Sequence, residues 1–169
     1  MFLGGRIVAG ELDEHTLEIA YTVPGGTHRV WLGKLAAAGI LLCASVGLMA
    51  VATYIFFTPF PFLQTLYGSI QGMVFYLVAS MGLATLFRSE VAGALASVGL
   101  LAFNGLIARF GAIQIRISPF WNPSAIEDID PERLLALSLQ NRIGTALIVA
   151  AVIALTFSRA ERREKMLGA

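Results

Sequence analysis

Residues 10–34, GELDEHTLEIAYTVPGGTHRVWLGK, gather side chains that could do chemistry: the carboxylates Glu11, Asp13, Glu14 and Glu18, the imidazoles His15 and His28, and the amine of Lys34. The glycine-rich part, GGTHRVWLGKL, has the outline of a phosphate cradle, in which backbone amides hold the phosphates and a lysine reaches them. That cradle needs glycine five positions before Gly33 and serine or threonine after Lys34. His28 and Leu35 stand there instead, so ATP is not bound by that route.

Other chemistries fail for equally local reasons. Both histidines precede the first apolar run, which leaves no imidazole within the bilayer for haem or a metal. The single cysteine, Cys43, lies inside an apolar run, reads as a small packing residue, and can build neither a disulfide framework nor a thiol cluster. In NPS (Asn122 to Ser124) the central proline rules out a glycosylation acceptor. Proton relays place ionisable groups inside a span, and here the apolar runs have none at their centres. A nucleophile, a base and an orienting group cannot be assembled from what remains. The expectation is a protein that is not an enzyme and carries no cofactor or metal of its own.

The elements that would position these residues follow from composition. With 57% hydrophobic and 14% charged residues, the 169-residue chain lies outside the range of soluble domains and reads as a membrane protein. Charge is absent between Lys34 and Arg88, between Val91 and Ala108, and between Ile143 and Ser158. The net charge of +1 makes no case for nucleic acid as a partner, and none is expected. Crossing about 30 Å of hydrocarbon takes about 20 apolar residues. Four spans are therefore expected, at about 35–57, 62–87, 91–108 and 143–158.

The connections are legible too. Two prolines in TPFP (Thr58 to Pro61) end the first span, and RSE (Arg88 to Glu90) is a loop short enough to force antiparallel neighbours. Residues 109–142 form an external loop. Its RFGAIQIRISPFWNP stretch alternates with a period of two and is expected to lie at the interface, with Phe120 and Trp121 in the headgroup layer. Ser124 with Glu127, and Asp130 with Pro131, are helix-start signals that predict a short external helix before the last span. Arg142 and Arg159 bracket that short span and are expected to snorkel outward. Gly68 with Gly72, and Gly93 with Ser97, are small-residue faces suited to helix packing; Gln71 and Asn104 are suited to hydrogen bonds between helices.

Basic residues are retained on the cytoplasmic side. One face collects Arg6, Arg29, Lys34, Arg88, Arg159, Arg162, Arg163 and Lys165, and the other only Arg109, Arg116, Arg133 and Arg142, so both termini are expected in the cytoplasm. Residues 1–33 then form a cytoplasmic amphipathic helix on the membrane surface, with Ile7, Val8, Leu12 and Ile19 on its apolar side. Pro24-Gly25-Gly26 ends it, and Arg29, Trp31 and Lys34 anchor the entry into lipid. Residues 34–160 form the four-helix transmembrane domain and 161–169 a basic cytoplasmic tail.

The stretch Ile7 to Leu42 also resembles the segment of type-2 ATP-binding-cassette (ABC) exporter permeases in which a glutamate, a Thr-Leu-Glu triplet, a proline and a Gly-Lys pair lead into a span. The matching residues are Glu11, Thr16-Leu17-Glu18, Pro24 and Gly33-Lys34. Leu137 to Gly168 is similar to the closing span of that family with its basic, glutamate-containing tail. The resemblance implies an all-α membrane protein in which Glu11 to Thr22 is a coupling helix seated in a cytoplasmic ATP-binding subunit. Glu11, Glu14 and Glu18 would pair with basic residues of that subunit, while Thr16 and Leu17 would pack in its groove. A second permease half or a homodimer would complete the pathway, in the inner (plasma) membrane of a prokaryote. Such permeases have six spans, two of them ahead of the coupling helix, and MFLGGR falls where the second would be ending. A fragment, a split permease and a four-span descendant all remain open. The alternative from the residues alone is a structural, non-catalytic subunit of a respiratory or photosynthetic membrane complex.

Overall fold

The computed structural model describes residues 2–13, 26–57, 59–110, 117–121 and 130–161. Of these, 88% are helical and none is in a strand. Two short helices open the chain, α1 (Phe2–Arg6) and α2 (Ala9–Asp13), followed by four long ones: α3 (Thr27–Phe56), α4 (Phe62–Phe87), α5 (Glu90–Phe110) and α6 (Pro131–Ala160). All four long helices are long and apolar enough to cross a membrane. In lipid this is the expected outcome, because a helix satisfies its backbone hydrogen bonds within itself.

The bundle is built around α4. Half of its most apolar window is buried, whereas in α3 the corresponding window is 0% buried. The turn between α4 and α5 is tight. Arg88 takes a left-handed conformation (φ 55°), and the amides of Arg88 and Ser89 both bond back to the Ala84 carbonyl, closing the helix end. Four residues past that turn's serine, Gly93 sits so close to α4 that a Cβ there would overlap the backbone of Ala84. Ser97, one turn on, is fully buried and donates to the Gly93 carbonyl. The expected Gly93–Ser97 face is thus a contact within the chain. Of the other pair, Gly72 faces the Pro119 carbonyl and Gly68 has open space above it.

At the opposite end of the bundle, Tyr54, Phe60 and Phe62 pack edge to face and stacked around the prolines that stop α3 (centroids 5.7–6.1 Å).

Three expectations need correction. The first long helix, α3, starts eight residues earlier than the apolar run, at Thr27, because Thr27 and Trp31 are buried against the rest of the protein and hold the polar turns helical. From Pro131 on, the stretch leading into the last span is not a separate helix: α6 is a single helix of 30 residues, about 45 Å long. Its start is the predicted one, with the Asp130 side chain accepting from the Glu132 amide and Pro131 in the first turn. Nothing between Pro131 and Ile143 then breaks it, since leucine, alanine, glutamate and arginine all favour helix. Finally, Ile7 and Val8 do not lie on a lipid surface. They sit in a turn between α1 and α2 and are buried in a core with Trp31, Leu77, Val78, Met81 and Ala160. The rest of the leader up to Gly25, including Glu14, Thr16, Leu17, Glu18 and Pro24, lies outside the described residues, as do Ile113, Ile115, Ser124 and Glu127.

Candidate functional site

The leader is fastened to the bundle by its own charges. Trp31 and Lys34 are three residues apart on α3 and so share one face, and Glu11 of α2 reaches both. Its Oε2 accepts from the Trp31 indole N–H at 3.0 Å, and its Oε1 pairs with the Lys34 ammonium. The glutamate side chain is only 8% exposed and Trp31 is fully buried, its ring 5.8 Å from that of Phe157. A carboxylate this enclosed is stable only with such donors, and the cluster is consequently a specific clamp.

Two further links reach α5. Asp13 Oδ2 accepts from the Glu90 amide at 3.0 Å, satisfying one of the free donors at the start of that helix. Arg6 lies 3.7 Å from the Glu90 carboxylate. Against α4 the contact is steric: Gly4 sits directly on Ser80 and the Leu77 carbonyl, leaving no room for a side chain. Leader, α3, α4 and α5 are therefore joined within one end of the bundle. His28 and Glu161, 3.6 Å apart, bring the end of α6 to the same place.

The expected anchors divide. Arg29 is exposed. Trp31 is buried in the core, where the Glu11 carboxylate supplies the acceptor its indole needs. Lys34 is tied to the same carboxylate. Arg142 does not extend outward from a helix end; α6 continues past it, and its guanidinium lies 4.2 Å from the centre of the Tyr67 ring, a cation–π contact. Trp121 is half-buried and lines a cavity. Arg159 turns to α4, where its Nη2 meets the Leu86 carbonyl at 3.5 Å.

That cavity, about 550 Å³, opens at the far end among α4, α6 and the Ser118–Trp121 segment. Gln71 donates to Asn141 (2.8 Å) and Thr145 (3.2 Å), and the Asn141 amide donates to the Ser118 carbonyl (3.0 Å). Asn104 donates to the Tyr76 hydroxyl (3.1 Å), and the Tyr76 ring packs 5.6 Å from Phe120. Gln71 and Asn104 thus make the bonds between helices expected of them. Among the described residues that line this cavity, Arg142 is the charged one, and the others offer amide and hydroxyl groups on an otherwise largely apolar wall. Among the described residues, no three His, Cys, Asp or Glu side chains come together.

Sequence reasoning missed the clamp. The only signal was the shared face of Trp31 and Lys34; the carboxylate that meets them is 20 and 23 residues away, across a Pro-Gly-Gly break. No protein family, curated protein or solved structure matches the chain.

Proposed function

We propose that the chain is the membrane-spanning permease component of an ABC-type exporter, driven by a separate cytoplasmic ATP-binding subunit. The observation that carries this reading is the double fastening of the leader. The stretch from Glu11 to Thr22, where the family resemblance places the coupling helix, is tied to the bundle at two points, Asp13 to α5 and Glu11 to α3. A displacement applied between those two points is delivered to α3, α4 and α5 together, as alternating access requires.

In this reading Glu14 and Glu18 supply the charges that dock the ATPase, Thr16 and Leu17 fill its groove, and Pro24 ends the contact. Glu11 acts within the chain, since its carboxylate is enclosed by Trp31 and Lys34. The bare apolar surface of α3 suits a second permease half or a second copy of the chain, and the basic excess on the leader side supports a cytoplasmic position for both termini. The test is co-purification from mild detergent: replacing Glu14 and Glu18 by lysine abolishes recovery of the ATPase, and undiminished recovery refutes the assignment.

A second reading, a structural subunit of a respiratory or photosynthetic complex, draws on the same exposed α3. Partners identified by mass separate the two, an ATP-binding protein in one case and redox subunits in the other.

A further inference from the structure

A second cavity, about 560 Å³, lies on the side of the bundle between α4 and α6, with Leu100 of α5 on its wall. Most of its lining is apolar, and Ala79 and Gly82 keep its floor low. Along α6 it runs from Ile148 to Arg159, eleven residues or about 16 Å, which is close to half of a hydrocarbon core of about 30 Å. The groove therefore has the depth of one leaflet, with its polar end at the level of the α4–α5 turn.

Arg159 closes that end. Among the described residues its Nε, shut off from solvent, has no hydrogen-bond partner, and the bond of its Nη2 to Leu86 O is long, at 3.5 Å. Among the described residues it has no carboxylate partner; the neighbouring Glu161 is turned to His28. Arg88, which ends α4 two residues after Leu86, adds a second positive charge at this end of the helix. A buried guanidinium donor left unpaired is costly, and an oxygen-rich anion presented from the headgroup layer would relieve it in the bidentate geometry that arginine favours.

We propose that this groove holds one acyl chain of an anionic phospholipid, with the headgroup phosphate on Arg159. Charge complementarity selects this occupant over a neutral lipid, and the leaflet-deep apolar channel selects it over a free phosphate. The site is independent of the transport reading, because it needs neither an ATPase nor the leader.

The test uses the full chain in mild detergent, titrated with phosphatidylglycerol or phosphatidylcholine and read by native mass spectrometry. Phosphatidylglycerol is expected to remain bound preferentially, one per chain. Arg159→Gln weakens that binding about tenfold, the value of one charge-assisted contact, and removes most of the preference over phosphatidylcholine. Ala79→Phe, which fills the channel without touching the arginine, weakens it as well, and Arg159→Lys preserves the preference, which guards against a folding defect in the glutamine variant. Equal retention of the two lipids, or an Arg159→Gln variant that binds as the parent does, overturns the proposal. Loss of self-association in Ala79→Phe with lipid retention unchanged also overturns it, and assigns the groove to a second copy of the chain.

Discussion

Glu11 and Trp31 are hydrogen-bonded at 3.0 Å although 20 residues separate them, and the bond is buried from solvent. It converts a polar leader into part of the helical core. The indole N–H is one donor to place, and in an apolar core of Ile7, Val8, Leu77, Val78, Met81 and Ala160 the carboxylate receives it.

Removing that acceptor is the first prediction. Glu11→Ala leaves a buried donor unsatisfied and should cost about 1–3 kcal/mol, read as a lower unfolding temperature of the purified protein in detergent. Glu11→Gln keeps an acceptor for Trp31 while losing the charge facing Lys34, and should cost less. Equal unfolding temperatures for parent and Glu11→Ala would show that the clamp contributes nothing to stability.

Glycines of identical chemistry should respond in opposite ways. Gly93→Ala forces α4 and α5 apart at Ala84, a form of overpacking that typically costs about 1–3 kcal/mol. Gly99→Ala meets nothing within 4 Å and gains helix propensity, so it should be neutral or stabilising. The comparison is made by thermal unfolding of the two variants side by side.

The amide network at the far end should couple weakly. In a double-mutant cycle, Gln71→Leu and Asn141→Leu should show an interaction energy of about 0.6 kcal/mol, the average for hydrogen bonds between membrane helices. Each side chain has a second partner, Thr145 for Gln71 and the Ser118 carbonyl for Asn141, but Asn141 is buried and Gln71 only half-buried, so Asn141→Leu alone should cost more. A coupling indistinguishable from zero would mean that the two side chains do not meet in the bilayer.

Topology can be read chemically. In a Cys43→Ser background, single cysteines at Ser89 and Asp130 should react with an impermeant maleimide from opposite sides of the membrane, since α5 and the segment after it separate them by one crossing. Labelling of both from the same side contradicts the four-span arrangement. If Ser89 reacts only from outside the cell, the cytoplasmic position proposed for the leader is wrong.

Docking supplies the last prediction. Under the transport reading, the ATPase should be lost from Glu14→Lys/Glu18→Lys preparations and kept in Glu11→Gln, measured by the protein recovered per mole of permease. Equal loss in Glu11→Gln would mean that this carboxylate also faces the partner.

Hydropathy alone determined a good deal. Four uncharged runs of span length, the prolines Pro59 and Pro61, and the short Arg88–Glu90 turn are local properties, and helix is the form in which each run can satisfy its backbone in lipid. Asp130 with Pro131 marked a helix start for the same local reason. Where that helix would stop was not legible, because Arg142 looks like a boundary by charge, and only its position beside the Tyr67 ring shows how the charge is accommodated along a continuous α6.

Tertiary structure decided which side of each residue matters. Trp31 and Lys34 carry the marks of interfacial anchors, yet a carboxylate from α2 claims them both; Arg159 carries the same mark, yet it bends toward α4. The physical reason is that transfer free energies are summed along the chain, whereas a hydrogen bond or an ion pair depends on atoms brought within about 3 Å by packing. A sequence can specify the helices that lipid requires, but the partner of a buried charge is chosen only when those helices meet.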